Sequence, residues 1–125
     1  MPVTVLIVDD QDAFRAAARE VVMATVGFEV VGEATSGEES VVAANRLHPN
    51  LVLMDVRLPG LDGLEASRQI RSAYADITVF LLSTHDEEDF GSRIRSSRAA
   101  AFIPKAAFSS DRLATTWGAA VSHPK

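Results

Sequence analysis

Short apolar runs that alternate with helix-patterned segments leave this chain few folds to choose from. Val3-Thr4-Val5-Leu6-Ile7-Val8 and Leu51-Val52-Leu53-Met54 are apolar at odd and even positions alike. A strand is apolar on both parities when both of its faces are covered, which is the situation in parallel sheets flanked by helices. Val79-Phe80-Leu81-Leu82 and Ala100-Ala101-Phe102-Ile103 follow the same pattern. Strand-like and helix-like runs taking turns along the chain indicate βα units and a doubly wound parallel α/β sheet, (βα)₅.

Strand 3–8 is followed by a helix that Asp12 is expected to cap, with Phe14, Ala17, Ala18, Val21 and Val22 at helical spacing and Gly27 marking its end. Phe28-Glu29-Val30-Val31-Gly32-Glu33 is a second strand, less apolar, as suits a sheet edge. Ser36 with Glu39 reads as a capping box for a helix whose apolar face is Val41, Val42 and Leu47, closed by His48-Pro49. Strand 51–54 leads through a Pro59-Gly60 turn to a helix capped by Asp62 and carrying Leu64, Ile70 and Tyr74. Strand 77–82 leads to a helix capped by Asp86 and carrying Phe90 and Ile94. Strand 100–103 leads to a last helix from Ser109 or Ser110, with Leu113, Trp117, Ala120 and Val121, after which 122–125 form a short tail.

Residues 1–125 suffice for one domain that buries roughly two-thirds of its unfolded surface. A net charge of -5 without a basic stretch argues against direct nucleic-acid binding and against anionic membranes. Cysteine is absent, which removes disulfide frameworks and thiolate metal sites. The first ten residues lack a basic n-region and reach Asp9-Asp10 after a strand, unlike a signal peptide. No apolar run approaches the ~20 residues of a membrane span. A soluble, cytoplasmic protein is expected.

The strand ends carry the chemistry. In a parallel sheet they share one edge, where open α/β folds bind ligands. Asp9-Asp10 end the first strand, Asp55 the third, Ser83-Thr84 the fourth, and Lys105 follows the fifth. Clustered carboxylates repel one another and resist ionisation without a cation. Mg²⁺, which takes oxygen ligands from one or two carboxylates and phosphate, suits the set. A carboxylate can also attack phosphorus to form an aspartyl phosphate. Asp55, alone at a central strand end, is the expected nucleophile, and Asp9 and Asp10 the metal ligands. Lys105 and Ser83 would contact phosphoryl oxygens.

Val-Asp-Asp at 8–10, Asp-Val-Arg-Leu-Pro-Gly-Leu-Asp-Gly at 55–63, Leu-Ser at 82–83 and Phe-Ile-Pro-Lys at 102–105 occur in the order and spacing of one family. Through them the whole chain resembles the receiver domain of bacterial two-component response regulators. The resemblance implies a flavodoxin-like fold with strand order 2-1-3-4-5. It implies that Asp55 accepts a phosphoryl group from a sensor histidine kinase. It also implies that Asp10 binds Mg²⁺ directly, Asp9 mainly through water, and Arg57 through its backbone carbonyl. Ser83 takes the switch hydroxyl position, Phe102 the switch aromatic and Lys105 the phosphoryl-binding lysine. Catalysis would extend only to self-catalysed phosphotransfer and autodephosphorylation. The signal would leave through the surface of helix 4, strand 5 and helix 5, also the surface for a homodimer. Phe28-Glu29-Val30-Val31-Gly32-Glu33-Ala34 is similar to receivers that precede a helix-turn-helix DNA-binding domain; such an output domain, absent from this chain, would control transcription. The alternative is a single-domain regulator acting by protein–protein contact.

Three positions around the site depart from the common pattern or tune it. Thr84 stands where the family often has Ala or Gly; its bulk could narrow access to Asp55, and the plainer reading is a tolerated variant. Arg57 and His85 lie two residues beyond Asp55 and Ser83, where the resemblance implies control of phosphoryl lifetime; the plainer reading is two solvated loop side chains. His48 and His123 read as surface residues, Trp117 as packing, and Asp86, Glu87, Glu88 and Asp89 as a solvated first helical turn. An Asp-nucleophile phosphatase would need an acid at position 57. A degenerate receiver would lack an acid or the lysine. A nucleotide-binding enzyme would need a G-x-G-x-x-G or P-loop.

Overall fold

Odd and even positions of the central strands face two different cores, and this division organises the molecule. The computed structural model describes residues 2–122; the expectations placed on His123 and on the end of the tail lie outside them. Strands β1 (Val3–Val8), β2 (Phe28–Ala34), β3 (Leu51–Asp55), β4 (Thr78–Ser83) and β5 (Ala101–Pro104) form one parallel sheet in the order β2-β1-β3-β4-β5. Helices α1 (Asp12–Met23), α2 (Gly37–Leu47), α3 (Gly63–Ala73), α4 (Arg93–Ser96) and α5 (Ser110–Val121) connect or follow them. The fold is flavodoxin-like.

Val5, Ile7, Leu51, Leu53, Phe80 and Leu82 pack with Ala18 and Val22 of α1 and Leu113 of α5. Leu6, Val8, Val52, Met54, Val79 and Leu81 pack with Ala43 and Ala44 of α2 and Leu64 and Ile70 of α3. Alternate side chains of a strand leave opposite faces, so both parities must be apolar to fill both layers. Trp117 sets its ring against Phe28 and Phe80, at 6.1 and 6.3 Å between centroids, and is a packing residue.

Several local expectations need correction. Gln11, not Asp12, occupies the N-cap of α1; Asp12 is the first helical residue and its carboxylate pairs with Arg15. Ser36 does cap α2, its Oγ accepting from Glu39 N at 3.0 Å. The Glu39 carboxylate, however, accepts from Thr35 N at 2.6 Å, one residue before the cap, so the reciprocal box is displaced. Val42 is 63% exposed and Ala17 is exposed; the buried stripe of α2 is formed by Ser40, Ala43 and Ala44. The single helix expected after Asp86 is two pieces. A 3₁₀ turn spans Glu87–Phe90, Gly91 follows at φ +56°, and α4 is only four residues long. A positive φ cannot continue a right-handed helix, and glycine adopts it without steric cost.

Asp62 and Ser109 cap α3 and α5 as expected, accepting from Glu65 N at 2.9 Å and Arg112 N at 3.1 Å. Ser109→Ala is expected to cost about 1 kcal/mol, read from the midpoint of urea unfolding, because an orphan helix N–H loses its acceptor. No helix among the described residues is long and apolar enough to cross a membrane.

Candidate functional site

The parity that sorts the core also sorts the site. Asp9 continues the series Val5-Ile7, Asp55 continues Leu51-Leu53, and Lys105 continues Ile103, all on the α1/α5 side of the sheet. Three residues far apart in sequence therefore meet at the C-terminal edge. One carboxylate oxygen from each of Asp9, Asp10 and Asp55 lies within 4.8 Å of the others. Asp9 is fully buried, Asp55 is 6% exposed, and Asp10 faces solvent.

The lysine is not free. Lys105 Nζ donates to Asp9 Oδ2 at 2.7 Å and stands 3.6 Å from Asp55 Oδ1. It also lies 4.3 Å from the centroid of the Phe14 ring. Asp9 Oδ1 accepts from Gln11 N at 2.8 Å, so both oxygens of this buried acid are satisfied. Asp55 Oδ1 accepts only a long bond, 3.4 Å, from Arg57 N. Burial first, and the Asp9 charge second, push the Asp55 carboxyl up to about 6, against the pull of Lys105. The lysine thus serves chiefly the deeper acid, and Asp55 is the less neutralised of the two.

The β3–α3 loop, which holds Arg57, is braced from two sides. A Cβ on Gly63 would fall 1.9 Å from the Asp55 carbonyl oxygen, and one on Gly37 would fall 2.0 Å from that of Leu61. Glu38 accepts from Leu61 N at 3.1 Å, and Gly60 turns the loop at φ +69°. At the neighbouring β1 end, Arg15 donates to the Asp9 carbonyl at 2.9 Å and to Glu33 at 3.2 Å. Arg19 first, and Arg15 after it, hold the Glu33 carboxyl below its ordinary range against the effect of burial.

Around this centre the remaining positions are spread. Ser83 is buried, and its Oγ accepts from His85 N at 2.9 Å. Thr84 and His85 are exposed, with Thr84 Oγ1 3.4 Å from His85 Nδ1. Phe102 is half-buried, its ring 6.0 Å from that of Phe90. Arg57 is exposed and its guanidinium carbon lies 5.7 Å from the Phe90 centroid. Sequence reasoning misses Phe90, Phe14, Arg15, Glu38 and Gly37 as residues of this site. Only Gly63 carries a signal, as the last residue of the Asp55–Gly63 motif; the others acquire their places through packing.

Could these residues hold a metal? Three oxygen donors of like charge, one of them an acid whose ionisation is opposed by burial and repulsion, are the donor set that a hard divalent cation relieves. The residues fit such an ion.

An acid cluster with an adjacent lysine, at the C-terminal edge of a 2-1-3-4-5 sheet, defines a receiver-type α/β domain. The model of the response regulator receiver domain matches residues 5–116, and the chain belongs to that family. It is 40% identical over 105 residues to the response regulator GacA of Pseudomonas protegens, and 36% identical over 105 residues to the response regulator UvrY of Escherichia coli. These matches take in 84% of this chain and 49% and 48% of the two relatives. The chain therefore spans about half the length of the curated relatives it matches. Among solved structures it is similar to the signal receiver domain of the putative response regulator NarL from Mycobacterium tuberculosis, with a TM-score of 0.88, 27% identity and 98% of each chain covered. It is a response-regulator component of two-component signalling.

Proposed function

We propose that the chain is a phosphorylation-controlled switch in which Asp55 accepts a phosphoryl group from a sensor histidine kinase. One observation carries this reading: of the two buried acids of the cluster, Asp55 is the one whose oxygens are less engaged, beside a lysine that already has a deeper partner. In the transfer, an Asp55 carboxylate oxygen forms the new bond to phosphorus. The bond from phosphorus to the donor atom breaks, and the donor keeps that electron pair. Asp9, Asp10, Asp55 and the Arg57 carbonyl would hold Mg²⁺, which when bound neutralises charge on the equatorial oxygens. Lys105 then exchanges part of its bond to Asp9 for a phosphoryl oxygen, a move of short range because it stands 3.6 Å from Asp55. Ser83 turns its hydroxyl from the His85 amide toward the new oxygens, and Phe102 takes the space released.

The output surface would be α4, β5 and α5, serving a homodimer or an output domain outside this chain that controls transcription in the cytoplasm. A helix of one turn with no buried residue is a low-stability element, suited to shifting between two populations. Catalysis goes no further than transfer to Asp55 and its hydrolysis.

Incubation with acetyl phosphate and Mg²⁺ is expected to add one phosphoryl group, seen by intact-mass spectrometry, and Asp55→Asn is expected to abolish the addition. Equal labelling of the variant would remove Asp55 from the role. Steady turnover of phosphate esters would point to a phosphatase instead.

A further inference from the structure

Phe90 sits at a junction that acceptor chemistry leaves without a role. It is the last residue of the 3₁₀ turn Glu87–Phe90, half-buried, immediately before the reversal at Gly91. Two neighbours fix its ring. His85 meets it edge-on, with centroids 6.3 Å apart and an angle of 71°, and Phe102 packs against it at 6.0 Å. The guanidinium of Arg57 approaches that ring, with Cζ 5.7 Å from the centroid. Arg57 and Phe90 line one cleft of about 330 Å³, together with Val56, the residue after Asp55.

No hydrogen bond or ion pair among the described residues orders that guanidinium. No ion pair among them includes Arg57, whereas Arg93, on the same cleft, is held by Asp62 at 2.6 Å. Among the described residues, the one hydrogen bond of Arg57 with another side chain is made by its backbone N–H. An arginine side chain left in water samples many rotamers, and each confining contact removes some of them. A cation within about 6 Å of an aromatic centroid is attracted by the negative face of the ring. Phe90 is therefore the contact that selects where the Arg57 cation stands.

We propose that Phe90 is a positioning residue for the phosphoryl lifetime: it holds Arg57 beside the opening of the Asp55 site and so slows hydrolysis of the aspartyl phosphate. The proposal rests on the acceptor reading of Asp55 given above. In hydrolysis, water oxygen bonds to phosphorus and the bond from phosphorus to the Asp55 oxygen breaks. The electron pair returns to the carboxylate, the water proton is released, and inorganic phosphate leaves. On this proposal the guanidinium, held by the ring two residues along the loop from the acceptor, takes up part of the space from which water attacks. Released from the ring, it spends more of its time in bulk solvent, and the water enters more often.

The test labels the full chain with acetyl phosphate and Mg²⁺, removes the donor, and follows loss of the phosphoryl group by intact mass. Phe90→Leu keeps apolar bulk and removes the ring. It is expected to speed the loss about two- to fivefold, the population change that an exposed cation–π contact supports. Phe90→Tyr keeps the ring face and is expected to retain the wild-type rate. Arg57→Ala is expected to match Phe90→Leu, and the double variant to be no faster than Arg57→Ala alone. Thermal unfolding of Phe90→Leu beside the wild type separates a change of rate from a change of fold.

Other results overturn the proposal. One is a Phe90→Leu rate equal to wild type while Arg57→Ala changes it. Another is equal acceleration by Phe90→Leu in the Arg57→Ala background, or a Tyr variant that behaves like Leu. An Arg57→Ala rate equal to wild type also overturns it. In all of these the labelling of Asp55 stands and the acceptor reading with it. A wild-type chain that takes no label at all overturns the acceptor reading itself, and this proposal with it.

Discussion

Gly63→Ala is expected to destabilise the protein by about 3 kcal/mol, the upper range for forcing an extra methyl into a packed site. The methyl would lie 1.9 Å from the Asp55 carbonyl oxygen, 2.9 Å from its carbon and 3.0 Å from the Val56 Cα. All three are backbone atoms at the end of β3, a central strand paired on both sides. A flexible side chain could swing aside, but this backbone cannot without breaking its ladder. Gly63 N also donates to the Val56 carbonyl at 2.9 Å, so the first turn of α3 cannot simply lift away. A domain of this size should lose on the order of 10 °C in Tm, read by circular dichroism. Gly118→Ala supplies the contrast: nothing lies within 4 Å of its added Cβ in α5. There the helix propensity of alanine should stabilise by about 0.5–1 kcal/mol. If both variants unfold at the wild-type temperature, the close approach at Gly63 is not a constraint.

Asp55→Asn should act in the opposite direction and depend on pH. The Asp55 carboxyl is pushed up to about 6 in the folded chain, first by burial and then by Asp9. An unfolded aspartate titrates near 3.9 (about that of a model peptide). Between about pH 4 and 6 the folded state therefore binds more protons than the unfolded one, and stability falls as pH rises. Above about pH 6 the whole penalty is present; below about pH 4 it is gone. A tenfold difference in proton affinity between the folded and unfolded chain is worth about 1.4 kcal/mol, so the metal-free variant should gain about 1–3 kcal/mol at about pH 7.5 and nothing at about pH 4. Urea unfolding at both values measures this. Mg²⁺ should then stabilise the wild type more than the variant, because a ligand of the native state shifts unfolding by mass action. An equal gain at both pH values would show that ionisation of Asp55 is not its source.

The two effects share a cause in the edge of the sheet. Gly63 lets the start of α3 pass tightly over the Asp55 backbone, the same residue whose carboxylate is buried. Stability is given up at the buried acid of the cluster, a pattern common to functional sites.

Much of the fold is legible in the sequence because its signals are local and periodic. Apolar residues on both parities specify strands with two covered faces, and Ser36, Asp62 and Ser109 announce helix starts by a hydrogen bond spanning three residues. The break at Gly91 is less legible, because acids 86–89 followed by Phe90 and Ile94 match one amphipathic helix as well as two short turns. Asp12 misleads for a similar reason: a carboxylate is equally at home at the N-cap and in the first turn, and here Arg15 draws it into the helix. Val42 has the right spacing for a buried face, but α2 meets the sheet through Ala43 and Ala44, whose small side chains let the helix approach closely.

By itself the sequence determined the alternation of elements, the two-sided burial of the central strands, and the set of polar residues that end them. Once the strands are parallel, those ends must share an edge, so the candidate site followed from order and spacing alone. Only the tertiary structure decided how that set divides its charges. Lys105 lies 96 residues from Asp9 along the chain, and whether it neutralises that acid or Asp55 depends on a small difference in distance, 2.7 against 3.6 Å. The ionisation of Asp55, the wedge at Gly63 and the ring beneath Arg57 likewise belong to contacts between distant segments. Periodicity reports which face a side chain takes; distance, desolvation and cation–π contact exist only after the faces have been brought together.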